Sequence, residues 1–265
     1  MLFYKTGRMR PISFIHYLLQ ARTRYSVHSP FVYDFFEKVL RGKGKEEWYI
    51  PAEATRKRML GEARLISFED YGTGGLRTRN YLLSIRQIAR HSGRRKKEGR
   101  MLARLAAWQK PAEILELGTS LGISTLYLAA ACPEAKIITL EGCREVLIQA
   151  ENNFSKAGMK NIRTMAGPFE ETLPRVLSDG FRPGLVLFDG NHDYRPTLEY
   201  FHRLLPLTNT DTVFVFDDIH WSAAMEKAWK EICARTEVTL SIDIFSMGLV
   251  FFKSGFVKQH FILRF

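Results

Sequence analysis

The feature that most constrains this chain is the texture of its second part, where short apolar runs alternate with amphipathic ones. Residues 114–117, 136–140, 162–165, 185–188 and 212–216 are almost continuously apolar and rich in β-branched and aromatic side chains. Between them, residues 124–131, 143–157, 169–177, 195–205 and 222–236 repeat their apolar positions every three or four residues, as helices do. Strands buried on both faces and joined by helices imply a parallel, doubly wound α/β sheet. The end of the chain departs from that rhythm. Residues 238–245 and 248–253 are two strand-like runs joined tightly at Ser246-Met247, an antiparallel hairpin added to the parallel sheet.

The first 110 residues read differently, as a mainly helical extension (1–110) ahead of the α/β domain (111–265). Helical spacing covers residues 12–20, 31–40, 52–63, 79–91 and 100–108, and Ser29-Pro30 supplies a cap and a first-turn proline. Between the helices, Asp70-Tyr71-Gly72-Thr73-Gly74-Gly75 reads as a loop, and residues 92–100 as an exposed linker. Charge follows the same division. Residues 1–110 carry 24 basic and 9 acidic side chains, whereas residues 111–265 carry 15 and 19. A basic cover of this kind suits a solvated surface, a membrane surface, an anionic substrate or a nucleic acid.

Composition removes several classes. At 46 % hydrophobic residues the chain is not disordered, and Cys132, Cys143 and Cys233 are odd in number and unpaired in spacing, against a disulfide framework or a zinc ribbon. Met1-Leu2-Phe3-Tyr4 is followed at once by Lys5, Arg8 and Arg10, and no apolar run is long enough to span a bilayer. A soluble cytoplasmic protein with no membrane partner is the expectation.

The most specific motif is Ile-Leu-Glu-Leu-Gly-Thr-Ser-Leu-Gly-Ile-Ser-Thr over residues 114–125, a buried strand, a glycine turn and a helix start. Such a turn lets backbone approach a ligand and presents unpaired N–H groups to it. The spacing of Gly118 and Gly122 is not the G-x-G-x-x-G of a dinucleotide site. Gly118-Thr119-Ser120-Leu121-Gly122 also matches a nucleophile elbow, with Asp189, Asp217, His192, His220 and His260 downstream, but that fold needs several strands ahead of the elbow. A purely structural turn is the third reading. Beyond the second strand lies Glu141, placed to bind ribose hydroxyls, and beyond the third lie Ala166-Gly167-Pro168, small enough to line a base.

With these positions taken together, residues 111–253 resemble the class I S-adenosylmethionine-dependent methyltransferases. The resemblance implies a Rossmann-like, doubly wound sheet of seven strands with a reversed C-terminal hairpin, preceded by the helical N-terminal extension. It implies that Glu116, Gly118, Ser120 and Gly122 border the methionine and ribose of the cofactor, with Glu141 on the ribose, Gly167 near the adenine and Asp189 receiving the methionine ammonium.

Two further segments belong at strand ends facing the same crevice: Phe188-Asp189-Gly190-Asn191-His192-Asp193 and Phe216-Asp217-Asp218-Ile219-His220. Asp189, Asp217 and Asp218 offer oxygen ligands to a hard divalent cation such as Mg²⁺. The arrangement is similar to metal-dependent O-methyltransferases of the catechol and caffeoyl-CoA type. In that family a lysine three residues beyond the first aspartate serves as base, and here the position holds His192, with Asp189 beside it. Asp217 and Asp218 also suit caps for the helix that follows. Arg77 or Arg79 is expected to meet an anionic acceptor from the preceding loop.

The implied activity is methyl transfer to oxygen of a small-molecule acceptor. The alternative is an RNA methyltransferase or a noncatalytic nucleic-acid binder using the basic half. The apolar end, residues 260–265, packs on the core or on a partner subunit in a homodimer.

Overall fold

The computed structural model describes residues 11–70, 79–91 and 95–265. The expected acceptor loop with Tyr71 and Arg77 lies outside them, as do residues 1–10 and 92–94; the Arg79 side chain is likewise outside the description.

The α/β domain is a sheet between two layers of helices. In chain order, β1 (Leu65–Asp70) and β2 (Arg79–Ser84) form a separate antiparallel hairpin. The main sheet follows as β3 (Glu113–Leu117), β4 (Lys136–Glu141), β5 (Ile162–Ala166), β6 (Leu185–Phe188), β7 (Val213–Asp217), β8 (Leu240–Asp243), β9 (Met247–Phe251) and β10 (Gln259–Ile262). Its spatial order is β10-β8-β9-β7-β6-β3-β4-β5, parallel except where β9 runs against β7 and β8. The expected doubly wound sheet and reversed hairpin are therefore present. An eighth strand is added: β10 pairs parallel to β8 and covers what would otherwise be an open edge.

The helices are α1 (Pro11–Gln20), α2 (Pro30–Phe35), α3 (Ile50–Gly61), α4 (Ile85–His91), α5 (Lys96–Gln109), α6 (Ile123–Ala131), α7 (Arg144–Lys156), α8 (Phe169–Ser178), α9 (Tyr194–Leu204) and α10 (Ala223–Ala234). Alternation along the strands assigns their faces. Ile114, Leu187 and Val215 pack with Phe35, Leu102 and Leu126 of the first layer, while Leu115, Val186 and Phe214 pack with Val176, Phe201 and Ile232 of the second. The first 110 residues thus contribute to the same core as the sheet. Phe31 and Phe35 meet Phe251 of β9 edge-on, at centroid distances of 5.2 and 6.2 Å. Arg104 of α5 is buried and donates to the carbonyls of Val39 (2.6 Å) and Leu40 (3.3 Å), which terminate the wide turn after α2.

Two expectations for the N-terminal part are corrected. The helix expected over 79–91 is strand β2 followed by the short α4, because Leu83 turns inward and Leu82 outward as a strand alternates. The linker expected over 92–100 already belongs to α5 from Lys96 onward. Among the described residues no helix is long and apolar enough to cross a membrane.

If the N-terminal helices and the sheet share one core, Phe251→Ala removes a fully buried ring that both contribute to. A loss of about 3–5 kcal/mol is expected in denaturant unfolding, against less than about 0.5 kcal/mol for Tyr33→Ala on the exposed side of α2.

Candidate active site

The glycine turn after β3 is held from beneath. Glu116 is completely buried, and its Oε2 accepts the hydroxyls of Thr125 at the start of α6 (2.5 Å) and Thr139 on β4 (2.7 Å). Because Thr139 donates to Glu116, the 2.6 Å contact between Thr139 and Thr119 has Thr119 as its donor. One carboxylate thus ties the turn, the next strand and the next helix together.

At the turn itself the backbone excludes side chains. Gly118 has φ +109°, and a β-carbon there would lie 2.5 Å from the Asp189 carbonyl oxygen. Gly122 has φ +79°, and a β-carbon there would overlap the Phe154 ring at 2.3 Å. Ser120, also at positive φ, directs its N–H to Glu141 Oε2 at 2.8 Å. Glu141 closes β4, and its other oxygen accepts from Cys143 N–H at 3.0 Å. Burial pushes the Glu141 carboxyl above its ordinary pKa, against the pull of those two N–H groups. Gly167, at the end of β5, donates its N–H to the Glu141 carbonyl at 2.9 Å. Gly118, Ser120, Gly122, Glu141 and Gly167 therefore line the carboxyl ends of three adjacent strands, where open α/β sheets bind ligands.

The hairpin closes over this side. Leu121 packs with Ile66, Phe68 and Val146, and the Cys143 thiol joins the strand backbone, accepting Glu69 N–H at 3.3 Å. Neither Cys143 nor the hairpin stands out in the sequence, since no motif marks them.

The acidic segments meet beside the turn. Asp189 follows β6, with its N–H on the Leu117 carbonyl (2.8 Å), and Asp217 ends β7. Ligand atoms of Asp189, His192 and Asp217 all lie within 4.8 Å of one another, and His192 Nε2 is 3.8 Å from Asp189 Oδ1. Asp218 stands outside this group, so the trio expected from sequence has His192 in its third place. The reason is local: Asp218 takes φ +54° and its N–H bonds to the Ser246 carbonyl at 2.8 Å, which turns the chain after Asp217. Neither aspartate caps α10, whose first turn is capped by Ser222 through Met225 N–H (3.1 Å).

His220 has a different setting. Its Nε2 is 2.7 Å from Asp243 and its Nδ1 3.3 Å from Glu226, with the ring stacked on Phe245. Burial alone lowers its pKa, but the hydrogen bonds and charges of Asp243 and Glu226 outweigh that and hold it above the ordinary value. With a carboxylate on each nitrogen the ring is suited to remain a cation rather than to take up a proton. Its partners, Asp243 and Glu226, were not marked by any sequence pattern. His260 is also occupied, by Ser241 at 2.7 Å, and burial lowers its pKa.

A family model described as a methyltransferase domain matches residues 115–219, from β3 through the loop after β7. This segment is similar to methyltransferase domains. A catechol O-methyltransferase of Niastella koreensis is 32 % identical over 124 residues, which is 46 % of this chain and 56 % of that protein. The chain spans about half the length of the curated catechol O-methyltransferases it matches. Among solved structures, an S-adenosylhomocysteine-bound methyltransferase of Podospora anserina superposes with a TM-score of 0.58 at 17 % identity, over 86 % of this chain and 98 % of that one. An O-methyltransferase of Streptomyces achromogenes in complex with S-adenosylmethionine gives 0.55 at 22 %, over 62 % and 83 %. At such identities the structural likeness speaks to the Rossmann-like fold alone.

The His220 setting gives the α/β domain a pH signature. Since the folded pKa is raised above the unfolded value of 6.5, the stabilisation from His220 is complete below that pH and is lost as pH rises through the folded value. The stability difference between wild type and His220→Gln is expected to be largest in mildly acidic buffer and to shrink toward alkaline pH; a difference that grows with pH contradicts the assignment.

Proposed function

We propose that the protein transfers a methyl group from S-adenosylmethionine to an oxygen of a small hydroxylated acceptor. The observation that carries this reading is the meeting of Asp189, His192 and Asp217 directly beside the glycine turn, with Gly118 packed against the Asp189 backbone. A donor site and a proton-accepting group are thereby within one crevice.

The residues present suit the donor. Glu141, at the end of β4, has a carboxylate for two ribose hydroxyls, and its oxygens already collect N–H donors from both flanking segments. Gly118, Ser120 and Gly122 border the methionine and ribose, Gly167 leaves room for the adenine, and Asp189 is placed for the methionine ammonium. Bound S-adenosylmethionine supplies an electrophilic sulfonium methyl, whose carbon–sulfur electrons leave with sulfur as the acceptor oxygen bonds to carbon. His192 takes the proton from that oxygen, and the neighbouring Asp189 carboxylate stabilises the imidazolium so formed.

The donor set also suits a divalent cation. Asp189 and Asp217 offer two carboxylates at adjacent strand ends, which is how Mg²⁺ is commonly held, with water or substrate completing its shell. A bound cation would lower the pKa of an acceptor hydroxyl. The acceptor is proposed to be anionic, drawn by the basic first half of the chain.

Calorimetric titration with S-adenosylmethionine tests the reading. Binding is expected to the wild type and to weaken by roughly ten- to a hundredfold in Glu141→Ala, as for loss of a charge-assisted hydrogen bond; absence of binding to the wild type overturns the proposal. His192→Gln is expected to lower kcat about 10²- to 10⁴-fold while leaving S-adenosylmethionine affinity unchanged. Activity against hydroxylated acceptors is expected to fall with a chelator and return with Mg²⁺; insensitivity to the chelator removes the cation from the scheme.

A further inference from the structure

Helix α1 is apolar on two sides and only one is used. Its inner side is anchored. Ser13 donates to Glu226 at 2.8 Å, the carboxylate that also holds His220, and Phe14 lies edge-on to Phe245 at 4.9 Å. Tyr17 is buried and its hydroxyl donates to the Leu263 carbonyl at 2.6 Å. His220 is three residues beyond Asp217 in the chain, so α1 packs beside side chains that hold the segment after β7.

Its outer side has no such seat among the described residues. Ile12 and Leu19 are 82 % and 80 % exposed, Ile15 is 57 % exposed, and their spacing of three and four puts them on one stripe. Tyr25, also 80 % exposed, follows in the turn after the helix, beneath the Arg24 guanidinium. The surrounding sequence has a single sign. Residues 1–33 include five lysines and arginines, Lys5, Arg8, Arg10, Arg22 and Arg24, and no aspartate or glutamate.

We propose that α1 docks the protein on an anionic lipid bilayer, with Ile12, Ile15 and Leu19 entering the headgroup boundary and the net positive charge of the surrounding sequence favouring an anionic surface. An exposed apolar stripe within a wholly basic segment is the pattern of an interfacial helix, and Tyr25 beside Arg24 is the residue pair that such boundaries favour. The charge also selects among occupants. Two copies of this segment facing one another would bring like charges together, whereas an anionic surface compensates them. Among the described residues no helix is long and apolar enough to cross a bilayer, and lying upon one needs no such helix.

The test is co-sedimentation of the full chain with vesicles of phosphatidylcholine alone and of phosphatidylcholine mixed with phosphatidylglycerol. Binding is expected to the mixed vesicles, to decline with added salt, and to weaken about tenfold or more in the double variant Ile15→Asp/Leu19→Asp. Both positions are exposed, and unchanged thermal unfolding checks that the variant folds. The proposal is overturned by absence of binding to the mixed vesicles or by equal binding of the variant. It is also overturned by light scattering that shows a dimer dissolved by the same substitutions. Titration of S-adenosylmethionine without vesicles reports separately on the reading of the crevice.

Discussion

The hydroxyl-bound carboxylate of Glu116 is the interaction on which the rest of the site depends. A carboxylate removed from water is costly unless hydrogen bonds replace its solvation. Here Thr125 and Thr139 do so, and each is fixed in a different element, α6 and β4. The chain Thr119 to Thr139 to Glu116 sets where the turn leaves β3 and how it enters α6. Glu116 thus acts as an internal tie beneath the turn. Removing that tie would leave the Thr125 and Thr139 hydroxyls, on two different elements, without their common acceptor.

The same turn sets the distance between the two halves of the crevice. Gly118 lies so close to the Asp189 carbonyl that no β-carbon fits, and Asp189 N–H is bonded to the Leu117 carbonyl on the same strand end. The loop after β6 is therefore in register with the turn through backbone contacts, which do not vary with rotamer. β3 and β6 are neighbours in the sheet, and β3 is where the strand order reverses, so their loops diverge to opposite sides and open a crevice. His192 and Asp217 occupy that opening because each lies within a few residues of a strand end.

What was legible in the sequence follows from range. The strands at 114–117 and 185–188 are continuous apolar runs, which only a doubly covered sheet needs, and Asp189, Asp217 and Glu141 were found because strand ends can be counted from such runs. The short β10 has only Phe261 clearly buried among polar neighbours, so it gives no apolar run; its pairing exists because β8 leaves an edge. β2 was hidden because Leu82, Ile85 and Ile88-Ala89 also satisfy helical spacing, and the turn into α4 falls in the middle of the run. His220 appeared as one of several crevice histidines. Its character as a cation depends on Asp243, 23 residues away, and on Glu226, neither of which any periodicity brings to it.

The basic surplus of the first half acquires a structural sense from its partners. Arg104 donates to two backbone carbonyls, Arg58 to the Asn153 side chain at 3.0 Å, and Arg64 to the Gln149 side chain. Asn153 and Gln149 belong to α7, next to the glycine turn, so Arg58 and Arg64 fasten the N-terminal part to the α/β sheet layer, while Arg104 ties α5 to the turn after α2. Their acceptors are neutral. A bond to a carbonyl or an amide stabilises through geometry and leaves the cation's charge uncancelled, whereas the pairing of Arg100 and Lys96 with Glu53 cancels part of it. Fastening the cover through neutral acceptors at these positions therefore leaves the guanidinium charges in place, where a carboxylate tie would have cancelled them.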